Sequence, residues 1–97
     1  SIADDNRQEP YKESFHRIAV MMEELIAVIA RSLVDQPDAV KVTRTDEENN
    51  VTLELAVAPE DLGKVIGKQG RTARALRSIL AATAAKDDKR SRLEIVE

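Results

Sequence analysis

Two glycines three residues apart carry the most informative chemistry in this sequence. In Val65-Ile66-Gly67-Lys68-Gln69-Gly70 they bracket a polar pair. Glycine takes backbone conformations closed to other residues and leaves no side chain between the amides and a ligand. The residues after Gly70 read as a helix, whose first turn offers amide hydrogens and the positive end of a dipole, a setting that suits phosphate. Lys68 adds one cation at the tip; position 69 is uncharged. Arg71, Arg74 and Arg77, three residues apart, drift slowly around the helix and line one side of the loop, and Lys64 precedes it by about one turn. The candidate set is therefore Lys64, Gly67, Lys68, Gln69, Gly70, Arg71, Arg74 and Arg77, with the chemistry of a clamp on a phosphodiester backbone. Taken alone, the two glycines equally describe a helix stop and a tight turn. A Walker loop needs four residues between its glycines and a Lys-Ser/Thr after them, which Gly67 to Arg71 does not offer.

The surrounding patterns supply the elements that position this loop. Tyr11, Phe15, Ile18, Met22, Leu25 and Ile29 recur at steps of four and three, widened by Ile26 and Leu33. They predict one helix, opened by Pro10 and ended near Asp35 because Pro37 disfavours a helical Gln36. Val40 and Val42, then Val51, Leu53, Leu55 and Val57, alternate with polar or small residues as strands with one wet face do. The polar run from Asp46 to Asn50 reads as their hairpin turn. A short helix then begins at Ala58-Pro59-Glu60-Asp61, with Leu62, Val65 and Ile66 on its apolar side. A second runs from about Arg71 to Ala85, buried through Ala73, Leu76, Ile79, Leu80 and Thr83. After a charged turn from Lys86 to Arg90, Leu93 and Ile95 mark a last strand. The order helix–strand–strand–helix–helix–strand is an α+β pattern, a three-stranded sheet covered by helices on one face.

Charge is segregated along the chain. The 97 residues hold 15 Lys+Arg against 18 Asp+Glu, a net charge of -3, which by itself argues against a polyanionic partner. From Leu62 to Arg92, however, nine cations meet two acids, a balance of +7, while the remainder carries six cations and sixteen acids, or -10. Such segregation creates a local positive potential around the loop whatever the total.

Composition narrows the function classes. There are no cysteines and the single histidine is His16, so thiolate chemistry and histidine-rich metal sites are excluded. No apolar run reaches the length of a membrane span and no signal-peptide pattern is present, which argues against membrane insertion. Without a general base or a metal-ligating cluster, a catalytic role and a cofactor are not expected. Tyr11 and Phe15 are the only aromatic residues, so stacking platforms of the kind an RRM uses are absent from the domain proper.

Preceded by Val-Ile, followed by an arginine-studded helix and placed after a strand hairpin, the loop resembles that of KH nucleic-acid-binding domains, which clamp about four nucleotides. The element order is similar to the type II form of that fold. Ala58 to Arg71, together with Leu33-Val34-Asp35-Gln36-Pro37-Asp38, resembles the KhpA family of small bacterial single-KH proteins, a likeness that spans about Met22 to Glu97. The resemblance implies single-stranded RNA binding in a cytoplasmic setting, with single-stranded DNA left open, and a homodimer or a heterodimer with a KhpB-type partner. It further implies an RNA chaperone or post-transcriptional regulator linked to cell shape and envelope homeostasis. Carried over residue by residue, it assigns the clamp to Gly67 through Gly70. It also implies a hydrophobic groove for bases, here drawn from Leu62, Val65, Ile66, Ala73 and Ala75, with the first strand nearby.

Residues 1–20 lie ahead of this likeness, so residues 21–97 form the expected KH domain. The leading segment is either a functionless leader or a helical overhang whose Tyr11, Phe15 and Ile18 pack on another chain or fold back. The contrasting function for the whole chain is a protein–protein adaptor or dimerisation module, in which RNA is bound only by the assembled complex.

Overall fold

The computed structural model describes the backbone of residues 2–97 and the side chains from Phe15 onward. Helix α1 spans Ile2–Leu33, and a single turn of 3-10 helix at Pro37–Ala39 leads into strand β1, Lys41–Asp46. Strand β2 covers Asn50–Ala56, and a second 3-10 turn at Pro59–Asp61 opens the short helix α2, Leu62–Ile66. A third 3-10 turn, Lys68–Gly70, separates it from α3, Arg71–Ala85, and β3 closes the chain at Arg90–Val96. The α+β order and the three-stranded sheet are those expected.

The hairpin is closed by the Glu47 N–H donating to the Asn50 carbonyl at 2.8 Å. It makes β1 and β2 antiparallel, with Val42 opposite Leu55 and Arg44 opposite Leu53. Strand β3 lies on the other side of β2 and runs parallel to it, Leu53 opposite Leu93. Parallel neighbours need a crossover, and α2, the glycine loop and α3 are that crossover. The loop therefore sits on the helical layer, beside the edge strand β3 and away from β1.

Alternation places Val51, Leu53 and Leu55 in the core, where Ala19, Met22, Ile26 and Ala30 of α1 meet Val65, Leu76, Leu80 and Leu93. Burial of this kind is the main stabilising term. Helix α1 contacts the core through a stripe rotated from the expected one: Ala19 and Ala30 are inside, while Leu25 and Leu33 are exposed. The small residues allow the helix to approach the sheet closely, and the larger Leu25 turns outward with Met21 and Val28. In α3, Ile79 is 47% exposed and Ala84 is buried in its place. Leu76, Leu80 and Ala84 recur every four residues, so Ile79 falls on the neighbouring face.

Two further points concern α1. The helix starts at Ile2 and passes through Pro10. A proline inside a helix forfeits one backbone hydrogen bond, and helix-favouring Arg, Gln, Glu and Lys residues flank it here. Phe15 and Ile18 pack partly buried against the protein's own core, and the Lys89 ammonium lies 5.4 Å from the Phe15 ring centroid. The side chain of Tyr11 lies outside the described residues. No helix among the described residues is long and apolar enough to cross a membrane.

Candidate nucleic-acid interface

The loop between α2 and α3 is built from three residues with positive φ. Gly67 ends α2 with φ 79° and ψ 169°, its N–H donating to the Gly63 carbonyl at 2.9 Å. This region of backbone space is open essentially to glycine alone. The fold adds a second reason: a Cβ at position 67 would lie 2.3 Å from Thr72 Oγ1 and 2.9 Å from the Thr72 backbone nitrogen. Gly70, at φ 73° and ψ 14°, caps α3 from the left-handed region, and its N–H turns inward to the Gly67 carbonyl at 3.0 Å. Between them Gln69 holds φ 59° and ψ 25°, unusual for a residue with a side chain.

Arginines support that conformation. The Arg71 guanidinium donates to Gln69 Oε1 at 3.0 Å, and that of Arg74 reaches the Gln69 carbonyl at 3.5 Å. Lys68 and Gln69 are exposed at the tip. The first turn of α3 opens directly onto the loop; the Arg71 N–H donates to the Lys68 carbonyl, and what this end presents is the positive end of the helix dipole.

Beside the loop runs a cleft lined by Ile66, Gly70, Ala73, Arg74, Arg77 and Ile95. No carboxylate is among these residues. Its apolar floor comes from Ile66, 36% exposed, with Ala73 and Ile95, while two guanidiniums form its wall. Arg77 spans it, its Nε donating to the Leu93 carbonyl of β3 at 3.3 Å.

The structure thus brings together Ile66, Gly67, Lys68, Gln69, Gly70, Arg71, Arg74 and Arg77. It does not gather the whole expected apolar groove. Val65 is fully buried in the core, Leu62 packs partly buried against the core, and exposed Ala75 is not among the cleft residues. Successive helical residues point about 100° apart, so Val65 and Ile66 cannot share a face. Nor is the first strand nearby. The flanking strand is β3, which sequence reasoning missed although a strand following a helical crossover packs beneath that crossover.

Lys64 is also set apart from the clamp. Its ammonium is hydrogen-bonded to Asp35 Oδ2 and lies 3.2 Å from Asp61 Oδ1. The bond to Asp35, with that to Asp61, outweighs desolvation and raises the Lys64 pKa above its ordinary value. Asp61, 1% exposed, is the one buried charged residue among those described. Its carboxylate accepts the Asp35 N–H at 3.2 Å and the Gln36 N–H at 3.0 Å. Burial pushes this carboxyl up, but the two amides and Lys64 together more than offset it and hold the pKa below the ordinary value. Lys64 and Asp61 therefore pin the end of α1 to the start of α2. In the sequence Asp61 is simply an acid in a first turn, and only the distant chain segment at Asp35–Gln36 reveals its role.

Comparison with known proteins accords with this geometry. The family model for the KhpA/KhpB KH domain matches residues 23–95. An RNA-binding protein KhpA of Clostridium acetobutylicum is 53% identical over 75 residues, covering 77% of this chain and all of the relative. Its counterpart in Treponema pallidum is 54% identical over 80 residues, 82% of this chain and again all of the relative. One from Halalkalibacterium halodurans is 51% identical over 76 residues, 78% of this chain and its own full length. No solved structure gives a significant match. On the match of the family model and the full-length coverage of these relatives, the chain belongs to the KhpA/KhpB family of KH domains.

Proposed function

We propose that this protein binds single-stranded RNA without catalysing a reaction. The observation that carries this is the exposed Gly67–Gly70 turn, with Lys68 at its tip, adjoining a cleft lined by two arginines and no carboxylate. A phosphodiester chain meets amides and Lys68 at the turn, while Arg71, Arg74 and Arg77 neutralise further phosphates. The floor of Ile66, Ala73 and Ile95 offers apolar contact to bases, and the relatives named above are RNA-binding proteins. With no aromatic residue among those lining the cleft, binding is modest and salt-sensitive. Lys64 does not belong to this clamp, because two carboxylates already hold its charge. A weak clamp of this kind fits an RNA chaperone or post-transcriptional regulator working with a KhpB-type partner.

The test is the Lys68→Asp/Gln69→Asp variant, titrated with short single-stranded RNA. Placing two carboxylates at the tip weakens binding by at least about tenfold at low salt while the thermal midpoint stays in place. Unchanged affinity would sink the clamp reading.

A second reading has its own observation. Met21, Leu25 and Val28 form an exposed apolar stripe on α1, beside a hollow lined by Val20, Ala27 and Val42 together with Glu23, Glu24 and Arg31. Such a face fits pairing with another chain, and the adaptor role would rest on it. Replacing Met21 and Val28 by Lys and measuring mass in solution tests this: an unchanged oligomeric state removes it.

A further inference from the structure

We infer that the clamp is the beginning of a longer track, and that one RNA strand continues from the loop along the seam of α3 and β3 to Arg92 and Arg90. The inference rests on the loop reading above and extends it to residues outside the glycine turn. Three adjoining hollows carry it. The cleft at the loop shares Arg77 and Ile95 with a second hollow, which adds Ala81, Leu93 and Arg92. That one shares Ser91 and Arg92 with a third, which adds Asn49, Asn50 and Arg90. The lining residues therefore overlap from Gly70 to the start of β3; Arg77 lies on the helical side, while Arg90 and Arg92 alternate with core-facing Leu93 and lie on the helix-free face, so the path passes over the open edge of β3.

The backbone of β3 also faces this path. Arg90 donates its N–H to the Asn49 carbonyl, and the Val96 carbonyl accepts the Val57 N–H. Even-numbered residues thus direct their backbone groups toward β2, and Ser91, Leu93 and Ile95 direct theirs to the open edge. The Leu93 carbonyl is taken by Arg77. The remaining edge groups, with the side chains of Asn49 and Asn50, give neutral hydrogen-bonding partners between the cations. A basic edge strand by itself is a common guard against aggregation. What distinguishes this one is its continuity with the cleft.

Length and charge set the expected footprint. From Ile95 to Arg90 the strand runs about 16 Å at about 3.3 Å per residue. At the 3.4 Å spacing of stacked nucleotides, that adds room for at most about five nucleotides. Two acids lie along the path, Glu94 and Asp88. Glu94 pairs with Arg92 at 3.1 Å, but the arginine side chain is 69% exposed, and such surface pairs contribute little. A phosphate therefore displaces Glu94 at little cost.

The experiment is an NMR amide titration with uridine oligonucleotides of four and eight nucleotides at two salt concentrations. Both strands shift the amides of Gly67 to Arg74, and only the longer one shifts Arg90, Ser91 and Arg92. Two added phosphate contacts make the longer strand lose about sevenfold more affinity than the shorter between about 50 and about 200 mM salt. Arg90→Gln/Arg92→Gln removes that difference without changing the four-nucleotide affinity, and Glu94→Gln tightens only the longer strand. Equal salt slopes for the two strands, with no shift at Arg90 to Arg92, overturn the track and leave the clamp standing. Lys68→Asp/Gln69→Asp leaving the four-nucleotide affinity unchanged, or no shift with either strand, overturns both.

Discussion

Lys64 and Lys68 stand four residues apart, on either side of the first loop glycine, and the fold gives them opposite fates. Lys64 is held between Asp35 and Asp61 and joins two segments 29 residues apart in sequence. Lys68 projects from the turn, with no carboxylate within ion-pair distance among the described residues. Proximity to a glycine motif therefore does not make a cation part of a binding site; the carboxylates around it decide. One end of α2 is a structural pin, and the other is a surface with charge to spare.

That contrast can be broken or sharpened by paired variants. The largest expected effect is at the junction itself. Gly67→Ala brings a methyl carbon against Thr72 in a backbone region closed to alanine, which destabilises the fold by about 1–3 kcal/mol. It also weakens RNA binding, and unaltered values in both assays would refute the turn's geometry. Next comes Asp61→Asn, which keeps the shape but removes the buried charge that holds two amides and Lys64. The thermal midpoint drops while RNA affinity holds. A loss of affinity without a loss of stability would erase the distinction between the two ends of α2.

Smaller effects follow from single lysines. Lys68→Gln removes one phosphate contact and reduces the salt slope by about 0.7, with no change in the midpoint. Lys64→Gln does the reverse, lowering the midpoint slightly and leaving the slope alone. The smallest effect is in the pH profile. Asp61 has a folded pKa below its ordinary value, so its stabilisation is complete above about pH 4 and is lost as pH falls through the folded value. Lys64 has a raised pKa, so its share is complete below about pH 10 and is lost as pH rises through the folded value. Urea denaturation across this range shows both limbs in the parent, and Asp61→Asn loses the acid limb.

The elements and the turn were legible in the sequence because they depend on neighbours along the chain. Alternating Val51, Leu53 and Leu55, the glycines at 67 and 70, and the arginine spacing after them are all local patterns. What escaped depended on distant packing. Ile95 joins the cleft only because β3 returns parallel to β2, and Lys64 leaves the clamp only because Asp35 folds back onto it. The inward turn of Ala19 and Ala30, with Leu25 outside, reflects how closely α1 can approach the sheet. Hydropathy alone ranks those residues the other way.

The left-handed Gln69, braced by Arg71 and Arg74, has a kinetic consequence. A turn already held in its working shape needs little ordering when a strand arrives, so association is not slowed by rearrangement. The adjoining cleft has no aromatic residue to trap a base. Fast arrival with weak retention means short residence times. On the proposed reading, such a surface samples many strands in succession and releases each one, in place of guarding a single site.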